Sequence, residues 1–171
     1  MFTFEEAIRF DIQKENIKSA QAYEFVNKQS HAPVASFINL ACVYWLSLEP
    51  GSGAAMDFRH LADTRLYEVL DEGQRLYPNA LELEFWRLYI RQIHLGDDLV
   101  APENVLELAQ QSNSTIVPYF YLYSYTKNPL YLPQIRALVQ IARCQPTCKN
   151  RYILSIVERY VRDDPLIDPA I

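Results

Sequence analysis

The chain has 171 residues and a mass of 19.9 kDa, the size of one compact domain that buries roughly 70% of its unfolded surface. Half of it is apolar by residue type, 22% is charged and the net charge is −5. This balance excludes the disordered class and argues against nucleic-acid binding by the chain as a whole, since phosphate contacts need a cationic surface. Only four residues are glycine, which excludes collagen-like sequence and makes a glycine-rich nucleotide loop a poor expectation.

The periodicity is helical almost throughout. Thr3 and Glu6 have the form of a capping box ahead of Phe4, Ala7, Ile8 and Ile12. A second helix is expected over about 17–28. A third is expected over about 32–49, where 17 residues from Ala32 to Leu48 carry no charge. Pro33, Ser36, Asn39 and Ser47 dilute that run, so it reads as the buried central helix of a soluble domain and not as a membrane span.

Pro50-Gly51-Ser52-Gly53 is the clearest loop. Residues 54–77 read as one long helix or two short ones, and Tyr77-Pro78-Asn79 ends them. The next helix reaches about Leu95 and stops at Gly96-Asp97-Asp98. Another opens at Pro102 and closes at Ser112-Asn113-Ser114. Tyr119 to Tyr125 alternates tyrosines as a strand would, yet no partner strand exists to pair its backbone, so a helix is expected. The last two helices are expected over about 130–143 and 149–162, with 163–171 left as an extended tail.

Short polar turns between such helices mean consecutive antiparallel hairpins. Phe85-Trp86-Arg87-Leu88-Tyr89 aligns with Tyr119-Phe120-Tyr121-Leu122-Tyr123 at an offset of 34, a period typical of helix–turn–helix repeats. Val105, Leu108 and Ala109 align with Ile135, Leu138 and Val139 at an offset of 30. With Leu70…Leu76-Tyr77-Pro78 ending one hairpin and Leu88-Tyr89…Leu95-Gly96-Asp97 inside the next, the chain resembles the tetratricopeptide-like helical repeats over residues 54–143. Leu66 and Leu70 stand where an alanine and an aromatic are typical, so the resemblance is to the wider class and not to a true member. It implies a scaffold that binds proteins or peptides on one face. The expectation is therefore a single all-α domain of about eight helices, stacked as a short right-handed α-solenoid.

Cys42, Cys144 and Cys148 fit no disulfide framework and suit a reducing, cytoplasmic setting. The acidic start, Met1-Phe2-Thr3-Phe4-Glu5-Glu6, is unlike an export signal. Cys144 and Cys148 are four apart and lack the further ligands a zinc site needs. No nucleophile elbow or phosphate loop is present. Asp57, His60 and Asp63, spaced by three on one helix, form the best metal-ligating set and carry an alternative reading as a metal-dependent enzyme. The competing reading is a solvated helix face with Arg59 and Arg65 as counter-charges.

Charge is distributed unevenly. Glu49 to Glu107 holds twelve acidic and five basic residues, whereas Lys127 to Arg162 holds seven basic and one acidic. The acidic middle predicts non-catalytic recognition of a basic protein, with no cofactor, through Asp71, Glu72, Glu82 and Glu84. A bacterial immunity protein neutralising a nuclease-like toxin is a concrete form of it. The basic third predicts an alternative, a chaperone or adaptor gripping a peptide on a concave face. Its contacts would be Tyr121, Tyr125, Arg136, Arg143, Arg151, Arg159 and Arg162. The same residues could grip single-stranded nucleic acid by stacking and phosphate contacts, the less favoured partner for an acidic chain.

Overall fold

The computed structural model describes residues 1–96, 101–111 and 115–161. Among them there are nine α-helices and no strand: α1 Phe4–Ile12, α2 Asn16–Asn27, α3 Val34–Leu48, α4 Met56–Leu76, α5 Leu81–Leu95, α6 Pro102–Gln110, α7 Tyr119–Thr126, α8 Leu132–Cys144 and α9 Cys148–Val161. A single 3₁₀ turn, Pro129–Tyr131, precedes α8. The expected closing turn at 112–114, Asp97, Asp98 and the tail 163–171 lie outside the described residues.

Local chemistry sets most of the boundaries. The capping box at α1 is complete: the Glu6 amide donates to Thr3 Oγ1 at 3.2 Å, and the Thr3 amide donates to Glu6 Oε2 at 2.9 Å. Helix α5 ends at Gly96, whose φ of 74° is left-handed and suits a residue with no side chain. The 54–77 segment is one helix of 21 residues. Helix α7 is a helix in spite of its alternating tyrosines, because Phe120, Tyr121, Leu122 and Tyr123 are all buried in succession. A strand would have turned every second one of them outward.

Helix α3 is the centre of the molecule. Every residue from Ser36 to Trp45 is buried, and α2, α4, α5 and α9 all pack on it. No helix among the described residues is long and apolar enough to cross a membrane. The uncharged run is explained by neighbours on every side. Gly73 lets α4 come close, since a Cβ there would lie 2.9 Å from Leu83 Cδ2 and 3.1 Å from Phe37 Cβ.

An open solenoid makes contacts only between sequence neighbours. Here the chain also returns on itself. Helix α9 packs on α3, and the buried Asp11 of α1 accepts from the Cys148 amide at the start of α9 at 2.6 Å. The helices therefore close around α3 instead of extending as an open stack. The two segments related by the offset of 34 pack against each other within this core. Phe120 lies edge-on to Phe85 and stacked on Trp86, both at 5.7 Å between ring centroids.

Candidate functional site

Helices α2 and α4 flank α3 and leave between them a largely apolar groove, about 680 Å³ in volume. Its floor is Tyr44 of α3 and Phe58 of α4, and its walls carry Ile17, Phe25 and Leu61, with Phe2 at one end. Ile17 on α2 is 49% exposed and Leu61 on α4 is 48% exposed. Two exposed apolar side chains on opposite walls of one groove make a local apolar surface.

A charged cluster adjoins this surface. Arg65 of α4 donates from Nε to Glu24 Oε1 at 3.0 Å and from Nη2 to Glu24 Oε2 at 3.1 Å, a paired contact to a carboxylate on α2. The same guanidinium meets Glu68 Oε2 at 2.6 Å and Glu72 Oε1 at 3.2 Å, one and two turns along α4. Tyr44 donates its hydroxyl to Glu24 Oε1 at 3.0 Å. Bonding to Glu24 raises the pKa of Arg65 still further. Burial, reinforced by Glu24, raises that of Tyr44, so its hydroxyl stays protonated as a donor. Three carboxylates thus surround one guanidinium. Lys28, at the end of α2, also lines the groove, so Glu24 and Glu72 are balanced there by Arg65 and Lys28. Glu72 borders a neighbouring depression as well, together with Glu68, Asp71, Arg75 and Arg87.

The other residues singled out in the sequence fall elsewhere. Asp71 pairs with Arg87 Nε at 3.0 Å on the surface. Glu82 turns to the interior face of α5, accepting from Lys149 Nζ at 2.7 Å and from Thr115 Oγ1 at 3.2 Å. Glu84 is half-buried on α5. The four acidic residues are therefore not one patch; Glu72 and Asp71 lie near Glu68, which no sequence motif singles out.

In the basic third, Arg136, Arg143 and Arg159 are exposed, and Arg143 comes within 3.9 Å of Glu158. Arg151 is a structural strut: it donates to the carbonyl oxygens of Asp11 at 3.1 Å and Pro146 at 2.5 Å. Tyr121 is buried and Tyr125 is exposed. Arg162 lies outside the described residues. Most of the tyrosine-rich segment is core. Tyr89 and Tyr152 join hydroxyl to hydroxyl at 2.6 Å, and Trp45 lies 4.7 Å from the Tyr152 ring.

Asp57, His60 and Asp63 all stand exposed on α4. Among the described residues no three histidine, cysteine or acidic side chains come together in a way that could hold a metal ion. The spacing of three puts Asp57 and Asp63 almost two turns apart along the helix axis, too far for one ion to bridge. Cys42, Cys144 and Cys148 are free thiols, the first and third buried. Burial raises the pKa of both buried thiols, that of Cys148 to about 12, which makes them poor nucleophiles.

The Glu24–Arg65 contact joins residues 41 apart, and no local spacing announces it. The available signal was the pair of apolar residues, Ile17 and Leu61, that break the polar face of their helices. In comparison with known proteins the chain matches no family model, no curated protein and no solved structure.

Proposed function

We propose that the protein acts by binding another protein, one with a basic surface, and that the α2–α4 groove is where it does so. One observation carries the reading: an apolar groove with exposed walls adjoins a cluster in which three carboxylates share one guanidinium. Apolar surface would supply affinity, and the solvent-exposed Glu68 and Glu72 carboxylates, with the acidic balance of the chain, would favour a cationic partner. In its concrete form the protein is an acidic cytosolic inhibitor that neutralises a basic protein, such as a toxin that cleaves nucleic acid. The acidic face would cover the cationic surface that the toxin turns toward phosphates. The three free thiols suit such a compartment. The helical-repeat resemblance agrees with a binding scaffold, by analogy of fold.

The test is capture from the native cells on immobilised wild-type protein and on the Glu68→Lys/Glu72→Lys variant, eluted with rising salt. The reading expects one basic protein retained by the wild type, released only at high salt and lost from the variant. Retention of the same protein by both, or of nucleic acid alone, contradicts it.

A further inference from the structure

A cavity of about 300 Å³, separate from the α2–α4 groove, lies where α1, α3, α5, α8 and α9 converge. Ile8, Val117, Leu138 and Ile141 give it apolar walls, and Asn39, Glu82 and Lys149 bring polar groups to it. Not all of those groups are satisfied. Asn39 is 4% exposed, and its Oδ1 is buried without a partner. Tyr23 sets the orientation of that amide. It gives its hydroxyl hydrogen to Asp11 at 3.3 Å, so its oxygen is left to accept, and Asn39 Nδ2 donates to it at 3.2 Å. Oδ1 therefore remains an acceptor that lacks a donor.

Lys149 has the opposite surplus. Its side chain is 13% exposed, and Glu82 Oε1 at 2.7 Å is its one acceptor among the described residues. An ammonium group has further N–H donors beyond the one that Glu82 takes. The other Glu82 oxygen accepts from the Thr115 hydroxyl at 3.2 Å, so the carboxylate itself is satisfied. Glu82 and Lys149 cancel in charge, and an ionised occupant would bring an unpaired charge into a largely desolvated site. The unused capacity thus selects a neutral occupant with one donor, one acceptor and an aliphatic body. A primary carboxamide holds the donor and the acceptor on one carbon. At about 30 Å³ for each water of the liquid, the cavity has room for roughly ten heavy atoms.

We propose that this cavity binds a small neutral carboxamide, its N–H donating to Asn39 Oδ1 and its carbonyl oxygen accepting from Lys149 Nζ. The hydrocarbon part lies against Ile8, Val117 and Leu138.

Cyclohexanecarboxamide is the probe. Cyclohexanecarboxylate, an anion, and methyl cyclohexanecarboxylate, which has no N–H, are the controls. Each is titrated to about 10 mM into the isotope-labelled full chain and followed by amide chemical shifts. The expected result is saturable binding of the carboxamide at about 1 mM or tighter, with shifts at the Asn39 side-chain amide, Thr115 and Lys149. Both controls should bind at least about fivefold more weakly. Asn39→Leu should erase the preference for carboxamide over ester, though it also removes a buried contact to Tyr23. Ile141→Trp removes no buried polar group, since Ile141 is 53% exposed. By crowding the cavity from that position it should weaken carboxamide binding about fivefold or more.

Equal binding by the three compounds, saturable shifts confined to other parts of the chain, or undiminished binding to Ile141→Trp overturns the proposal. So does the absence of saturation by about 10 mM, which would leave water as the partner of Asn39.

Discussion

Asp11 shows how one residue ties the chain together. It is fully buried and accepts from the Cys148 amide, the Tyr23 hydroxyl at 3.3 Å and Arg151 at 3.5 Å. Asn39 in turn donates to the Tyr23 oxygen at 3.2 Å. Burial outweighs these donors and pushes the Asp11 carboxyl up from 3.8 to about 6. Between those two pH values the folded chain holds a proton that the unfolded chain has released. The contribution of Asp11 is therefore complete below pH 3.8 and lost as pH rises to about 6, a fall on the order of 3 kcal/mol. Urea unfolding from pH 4 to 7 should show this slope in the wild type, and Asp11→Asn should flatten it. Parallel curves for the two proteins would contradict the assignment. Asp11→Ala, which strands the Cys148 amide and the Tyr23 hydroxyl, should cost roughly 2–4 kcal/mol near pH 4 and less as pH rises to 7, because it also removes the unfavourable titration.

At the scale of elements, most of the fold is legible in the sequence because helix ends are local. The capping box at Thr3, the left-handed Gly96 and the proline at the start of α6 each mark a boundary with chemistry contained within a few residues. The tyrosine run of α7 misleads only if alternation is read alone; without a second strand its backbone could not be satisfied. Gly73 is different. Nothing near it says that Phe37 and Leu83, 36 and 10 residues away in the chain, will crowd its Cα. Replacing a mid-helix glycine by alanine ordinarily stabilises by about 1 kcal/mol. Gly73→Ala should instead destabilise by roughly 1–3 kcal/mol, because α4 must move off α3 to admit the methyl group. A raised melting temperature would show that the close approach relaxes freely.

For the whole molecule, what the sequence hides is which distant segments meet. Charge counting found an acidic middle but could not see that Glu82 is spent on Lys149 or that Arg151 braces Asp11. Nor could it foresee that Glu24 would join Arg65 across the groove. Because α9 packs on α3 and its start bonds to Asp11 of α1, we expect the chain to unfold as one cooperative unit. Deleting residues from Thr147 onward should therefore abolish cooperative thermal unfolding and near-ultraviolet dichroism. A shortened chain that still melts sharply would point to an open, repeat-by-repeat stack.

The central claim is that a basic protein binds in the α2–α4 groove, and photo-crosslinking in the native cells tests it most directly. A benzophenone amino acid is placed at Leu61, inside the groove, and separately at Ile141, exposed on α8 outside it. The account predicts one basic protein crosslinked from position 61 and absent from position 141. Crosslinks to that protein from position 141 alone, or to nothing from position 61, would contradict it.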